Sequence, residues 1–410
     1  MPRFPLGMND RLQCFSARAP GARSCSKEEV VEIARSVGGE YGACDVRIAP
    51  AFVDLQTRER FREAFQRGDF ATWNYGAARA EQATDPTYIL DRAKSIICIA
   101  LAYATDAPRR GPLTGRVSNY AWSHDYHRRI TTLLTEIASR IDATAGEPVT
   151  AIACDTRPIA ERAFAARAGL GWIGKHTSLI SPQLGSFVFL GEVITTLDLE
   201  ADTPLRKTCG TCTRCIDVCP TGALRGDYTM DANLCISDLT QRTDAIPRHL
   251  RPLIGEWVWG CDLCQTACPP TQRAGAAGTS GHTPASTKAA SANAPVSAKT
   301  AAPDLIGLLE LRSSEFRKTY RSTGMGWRGA AVLRRNAAVA LGNTLDRAAV
   351  PALLRALERD PHPLVRGHVA WALGRIGSPT AFSGLRARIS REHEKSVREE
   401  IEAALNRRPL

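Results

Sequence analysis

Apolar residues recur along this chain with two different periods, and the places where the period changes divide it into regions. From Ser26 to about residue 200, helical spacing alternates with short apolar runs of strand type, at 95–103 (SIICIALAY), 149–154 (VTAIAC) and 185–196 (GSFVFLGEVITT). Ser26-Lys27-Glu28-Glu29 is a capping box and predicts an amphipathic helix through Val37. Helices mixed with strands predict an α/β or α+β layered domain with room for a cofactor.

Residues 303–410 keep helical spacing alone, and they repeat every 32 positions. Leu333-Arg334, Ala337 and Leu341 align with Val365-Arg366, Val369 and Leu373, then with Val397-Arg398, Ile401 and Leu405. Each apolar set lies at i, i+4, i+8 on one helix face, which predicts a short α-solenoid of HEAT type. Between these regions, residues 272–302 are almost wholly Ala, Gly, Ser, Thr, Pro and Lys, with Val296 as the one apolar anchor. Such a stretch buries too little to offset its ordering entropy and predicts a flexible linker. Residues 1–25 are basic and proline-broken and predict an irregular tail. The expected units are therefore 26–200, 201–271 and 303–410, an α+β multidomain chain.

Composition adds two points. The 410 residues are 44% hydrophobic, with no run of membrane-spanning length and no signal segment, as in a globular protein. The net charge of +11 is concentrated at the C-terminal end, where residues 303–410 hold 19 Lys+Arg against 11 Asp+Glu. A polyanionic partner fits that surplus. Arg334, Arg366 and Arg398 stay in register with the repeat and predict a nucleic-acid-facing row; the alternative is that each binds a helix end or a neighbouring carboxylate.

The chemistry lies in 201–271. Eight of the 13 cysteines run Cys209-x2-Cys212-x2-Cys215-x3-Cys219-Pro, then Cys235, then Cys261-x2-Cys264-x3-Cys268-Pro. This is the spacing of a ferredoxin-like segment holding two [4Fe–4S] clusters, in which three thiolates serve one cube and the fourth turns to the other. Cys209, Cys212, Cys215 and Cys268 are expected on one cluster. Cys219, Cys235, Cys261 and Cys264 are expected on the second, with Cys235 assigned by counting. Two four-cysteine zinc sites are the alternative, but zinc usually pairs separated Cys-x-x-Cys knuckles. Thiolates committed to a reducible centre point to the cytoplasm. The first domain supplies no GxGxxG fingerprint after a strand and no P-loop. Asp125-Tyr126-His127 begins like the Asp-x-His-x-x-Gly signature of corrinoid proteins, but Ile130 stands in the glycine position, so the match reads as chance.

Longer segments carry a resemblance. Asp155-Thr156-Arg157-Pro158-Ile159-Ala160-Glu161-Arg162-Ala163, Gly169-Leu170-Gly171-Trp172-Ile173-Gly174-Lys175-His176-Thr177 and Phe189-Leu190-Gly191-Glu192 resemble the catalytic domain of the epoxyqueuosine reductase family. Cys235-Ile236-Ser237, Arg251-Pro252-Leu253-Ile254-Gly255, Gly260-Cys261-Asp262 and the run from Arg335 to Asn343 are similar to the same family in the same order. The resemblance implies a nitroreductase-like domain binding cobalamin, two [4Fe–4S] clusters that keep it at the cob(I)alamin level, and reduction of epoxyqueuosine to queuosine at the wobble position of tRNA. It also implies a monomer fed by a low-potential electron donor that the sequence does not identify.

By that resemblance Asp155 is the proton donor, which requires its pKa to rise from about 3.9 to near neutrality; the other reading is a cap on a helix started by Pro158. Arg79, Tyr120, Asp155, Lys175, Ser178, Ser237 and Asp262 are the implied cobalamin contacts, with Gly171 and Gly174 allowing close approach. His127 and His176 read as structural. Asp238 departs from the tyrosine expected there. Two other readings share the features: a corrinoid reductive dehalogenase, and a ferredoxin-type carrier docked through its repeats.

Overall fold

The computed structural model describes residues 25–42, 44–73, 75–76, 78–103, 108–155, 157–276 and 296–406. Helix α1 (Lys27–Tyr41) opens on the expected capping box: Ser26 Oγ accepts the Glu29 N–H, and the Glu29 carboxylate accepts the Ser26 N–H. It runs four residues past the predicted end. The tail predicted for 1–25 lies outside the described residues except for Cys25, which is buried.

All three predicted strand runs form strands, and a fourth joins them. Strands β1 (Cys44–Pro50), β2 (Ser95–Ala102), β3 (Thr150–Ala153) and β4 (Val188–Thr195) make one sheet in the order β1-β2-β4-β3, every pair antiparallel. Side chains alternate across a strand, so β2 serves both faces. Ile97, Ile99 and Leu101 pack with α1 and with helix α2 (Tyr126–Ala145), through Val30, Val37, Leu133 and Ile137. Ile96, Cys98 and Ala100 pack with Phe164 and Ala165 of helix α3 (Glu161–Arg167). Helices thus cover both faces of an antiparallel sheet, which explains why β2 is a continuous apolar run rather than an alternating one.

Residues 201–271 are mostly loops around short helices, held to the first layer by a parallel pairing of Arg116–Val117 with Trp257–Trp259. The flexible linker expected over 272–302 is corrected at both ends. A helix spans Pro269–Ala276, and another spans Ala298–Ala301. The Val296 N–H donates to Trp122 O at 2.9 Å, and Thr300 Oγ1 donates to the same oxygen at 2.7 Å. The carbonyl of buried Trp122 gives this polar segment partners that composition does not reveal; residues 277–295 lie outside the described set.

The repeats fold as expected, into α4 (Ala330–Thr344), α5 (Val350–Arg359), α6 (Pro363–Ile376), α7 (Pro379–Ile389) and α8 (Lys395–Leu405). Helices α4, α6 and α8 pack in series. Gly342 and Gly374 permit the close approach: a Cβ on Gly342 would lie 2.9 Å from Ala372 Cα, and one on Gly374 would lie 2.5 Å from Ala404 Cβ. The solenoid shares a hydrophobic core with the cluster region, through Leu239, Ile254, Val258 and Trp259. Wholly buried Arg335 donates to the carbonyls of Asp244, Leu239 and Thr240, while Asn336 Nδ2 donates to those of Thr240 and Val258. Among the described residues no helix is long and apolar enough to cross a membrane.

Candidate active site

The eight thiols fall into two neighbouring groups. Burial raises the Cys215 pKa first, and the nearby Cys209, Cys268 and Cys212 raise it further. Cys264 is pushed up to about 12 by burial, then by Cys235, Cys215 and Cys219; Cys261 is raised by burial, then by Cys264 and Cys235. The neighbours sensed by Cys215 are its three expected cluster partners. Cys264 senses thiols of both sets, which puts the two groups side by side. Without metal these thiols therefore stay protonated, and iron binding must displace their protons. Among the described residues, no three His, Cys, Asp or Glu side chains converge on a single-ion site.

A second constellation forms where the sheet ends. Asp155 lies two residues past β3, and Tyr126 and His127 open α2. The Asp155 side chain is 58% exposed, and its Oδ2 accepts from Tyr126 OH at 2.9 Å and lies 3.0 Å from His127 Nε2. His127 Nδ1 sits 2.6 Å from Asp125 Oδ1, so one imidazole bridges two carboxylates. Burial works against charge on that ring, but its hydrogen bonds to Asp125 and Asp155 outweigh burial and push it up to about 9. The same hydrogen bond from His127 holds Asp155 below the usual carboxylate range, against its partial burial. The expectation of a raised Asp155 pKa is therefore corrected: at neutral pH the proton resides on His127. The helix-cap reading also fails, because α3 begins at Glu161 with Ala160 as its cap.

Two further carboxyls stand behind Asp155. The Asp155 N–H donates to Glu161 Oε1, and burial, then the Asp155 charge, push Glu161 up to about 7. Glu192 is opposite Ala153 and Cys98 in the sheet register, on the face that meets α3. It is wholly buried, neither carboxyl oxygen has a hydrogen-bond partner among the described residues, and burial raises its pKa far above the ordinary value. Sequence reasoning missed this quartet of Tyr126, His127, Glu161 and Glu192 as a unit. Its signal was the Asp125-Tyr126-His127 triple, set aside because Ile130 is not glycine; Ile130 is core on the buried face of α2.

Several expected cofactor contacts are occupied within the protein. Lys175 Nζ donates to Gly210 O and Cys212 O at 2.9 and 3.1 Å, tying its loop to the first thiol group. Asp262 is buried and accepts from Ser118 Oγ and from the Asn119 N–H, with burial pushing it up to about 6. Tyr120 is half-buried, and its hydroxyl accepts from Trp259 Nε1 at 2.9 Å. Ser237 Oγ accepts from Gln241, and the Arg79 guanidinium lies 5.0 Å over the Tyr75 ring. The Ser178 N–H donates to His176 Nδ1. Gly171 and Gly174 sit where packing leaves no room for a side chain: a Cβ on Gly171 would strike Ile180 O at 2.3 Å, and one on Gly174 would strike Ile180 Cδ1 at 2.7 Å.

The three in-register arginines make contacts within the solenoid. Arg334 Nε pairs with Asp360 at 2.7 Å, Arg366 grips Glu392 with two nitrogens, and Arg398 donates to Glu392 O and His393 O. Arg334 and Arg366 thus tie one repeat to the next, as the carboxylate reading of the row expects, while Arg398 is exposed and holds the turn that leads into its own helix.

Comparison with known proteins draws these features together. Residues 84–156 match the family model described as epoxyqueuosine reductase QueG, DUF1730; residues 208–271 match a 4Fe-4S double cluster binding domain, and 329–406 match HEAT repeats. A relative named epoxyqueuosine reductase from Bacillus subtilis is 33% identical over 390 residues, spanning 92% of this chain and 95% of the relative. One from Bacillus anthracis is 35% identical over 330 residues, 79% of this chain and 84% of that protein. A crystal structure of epoxyqueuosine reductase with an epoxyqueuosine-modified tRNA-Tyr stem loop superposes with a TM-score of 0.83 at 32% identity, covering 92% of this chain and 97% of that one. A Bacillus subtilis structure with its catalytic aspartate loop swung out of the active site gives 0.82 at 31%, over 92% and 98%. With matches this long, in sequence and in fold alike, the chain belongs to the epoxyqueuosine reductase family.

Proposed function

We propose that this chain reduces epoxyqueuosine in the anticodon loop of tRNA to queuosine, acting in the cytoplasm as a monomer. The reaction breaks two epoxide carbon–oxygen bonds, consumes two electrons and two protons, and releases water. One observation carries the reading: an exposed carboxylate, Asp155, is held by a protonated histidine and a tyrosine in a chain whose eight thiols suit two [4Fe–4S] clusters.

A corrinoid in a nitroreductase-like site fits one further feature. His176 Nδ1 accepts the Ser178 N–H, so its neutral ring carries hydrogen on Nε2, yet that buried atom has no acceptor among the described residues. Such a donor, with Ser178, Ser237 and Arg79, would suit the carbonyls and phosphate of a corrinoid's periphery. When bound, that group would supply low-potential electrons delivered through the clusters from a donor still to be identified.

The protein's own share is proton delivery. His127 stores one proton at Nε2 against Asp155 Oδ2, and Asp125 supports the charged ring from behind. Asp155 passes that proton to the departing oxygen, while Tyr126, whose pKa is raised by burial and by the Asp155 charge, keeps its own proton and fixes the carboxylate. The test is anaerobic turnover of tRNA carrying epoxyqueuosine, with product nucleosides identified by mass. Asp155→Asn should retain the visible spectrum of the loaded protein and lose turnover by roughly 10²–10⁴-fold. In the wild type, turnover should decline as pH rises through about 9, where His127 gives up its proton. Wild-type turnover by Asp155→Asn would refute the assignment.

A further inference from the structure

Arg334 and Arg366 are taken up by carboxylates of the solenoid, and one aromatic cluster elsewhere has the chemistry to meet an unpaired base. Trp73 stacks on Trp327 with ring centroids 5.6 Å apart and planes 26° apart. The Arg328 guanidinium lies 3.7 Å over Trp327 and 5.4 Å from the Trp73 ring centre. Tyr75 continues the stack from Trp73 at 6.0 Å and carries Arg79 over its ring. Trp327 is 41% exposed. Arg328 makes no ion pair among the described residues, and its Nε is buried without a partner.

This cluster is anchored next to the reacting carboxylate. Trp73 Nε1 donates to Asp238 Oδ1 at 3.1 Å, and Asp238 is held in turn by Arg242. Trp327 meets the edge of Trp259, which donates to Tyr120; Tyr120 packs edge-on against Tyr126, the partner of Asp155. The 320s loop touches the same segment directly, since the Asp125 N–H donates to Ser322 O at 2.8 Å. An exposed indole backed by a guanidinium that makes no ion pair among the described residues, with Asp238 acting on its charge only from beyond ion-pair distance, is a platform for a base and its phosphate, because stacking is offered to any base and the positive charge to the backbone.

We propose that Trp73, Trp327 and Arg328 form a stacking clamp that holds an unpaired anticodon-loop base beside the reacting nucleotide. The inference rests on the tRNA reading above and names a surface for it. The experiment uses reconstituted holoenzyme and a labelled epoxyqueuosine-modified anticodon stem-loop, with a blunt RNA duplex of the same length as control. Trp327→Ala and Arg328→Ala should each weaken stem-loop binding by about tenfold and raise KM more than they lower kcat, while Trp327→Phe stays within about threefold of wild type. Duplex binding should not distinguish the Trp327 variants from wild type. Stem-loop affinity within twofold of wild type for both alanine variants, or an equal loss on the duplex, would overturn the clamp while leaving the reductase reading intact. Failure of wild type to bind or convert the stem-loop would overturn both.

Discussion

Glu192 is the residue whose placement costs the fold most visibly. A carboxyl sealed between a sheet and a helix, with no hydrogen-bond partner among the described residues, stays protonated because charge there is opposed by burial and by the nearby Glu161 and Asp155. Its pKa is raised in the folded chain, so the folded state keeps a proton that the unfolded state releases near 4.3. The stabilising effect of that proton is complete below about pH 4 and is lost as pH rises from there toward the folded value. Glu161, pushed up to about 7, acts in the same direction. Glu192→Gln removes the charge without changing shape. Its Tm should match wild type near pH 4 and exceed it by a few degrees at pH 8, on the order expected for one buried ionisation; a Tm difference that did not change with pH would refute the neutral-carboxyl account. The positioning of Asp155 shows the same physics with the opposite outcome. There the histidine hydrogen bond outweighs burial, and the carboxylate stays ionised. Sequence could nominate Asp155 by resemblance, but the partner that decides its charge lies 28 positions away on another element and was invisible to local pattern.

At the scale of elements, periodicity was the most legible feature. The capping box, three strand runs and the repeated helix faces all exist where the pattern put them, because each was fixed by burial with period 2 or 3.6. What periodicity could not decide was which way the in-register arginines pointed. A repeat that stacks must pair its polar joints as regularly as its apolar ones, so a periodic arginine is what a ladder demands. Glu392 makes the point: Arg366 and Arg388 both bind it, and against burial they hold its pKa down to about 2. Replacing Arg366 by Gln leaves that nearly buried carboxylate with one guanidinium. The expected cost is about 1–3 kcal/mol of stability at neutral pH, measured by denaturant unfolding. The difference should shrink as acid protonates Glu392, from about pH 4.5 downward, and stem-loop affinity should stay within about twofold. A tenfold loss of RNA affinity without loss of stability would restore the outward-facing row.

For the whole molecule, the shared core matters more than the domain boundaries drawn from composition. Leu239, Ile254, Val258 and Trp259 flank the second group of thiols and are built into the same hydrophobic cluster as Leu333, Ala337 and Val369 of the solenoid. Arg335 and Asn336 reinforce that joint with buried bonds to the carbonyls of 239, 240, 244 and 258. The similar run in other family members was legible as a motif, but its role as a joint was not, because its acceptors are backbone oxygens some 80 to 95 residues away. Cluster binding therefore bears on the solenoid's stability. If the two thiol groups each hold a cubane, the anaerobically loaded protein should carry about eight iron atoms, and Cys264→Ser should lose about four of them. Because folding free energy includes the metal's binding free energy, the same variant should unfold its solenoid at lower temperature than wild type. Hydrogen exchange at α4 reads this directly: faster exchange there in Cys264→Ser is the expected result, since the ligand loop and the helix share one core. Exchange at α4 unchanged by the loss of iron would mean that the solenoid stands on its own packing and that the joint transmits nothing.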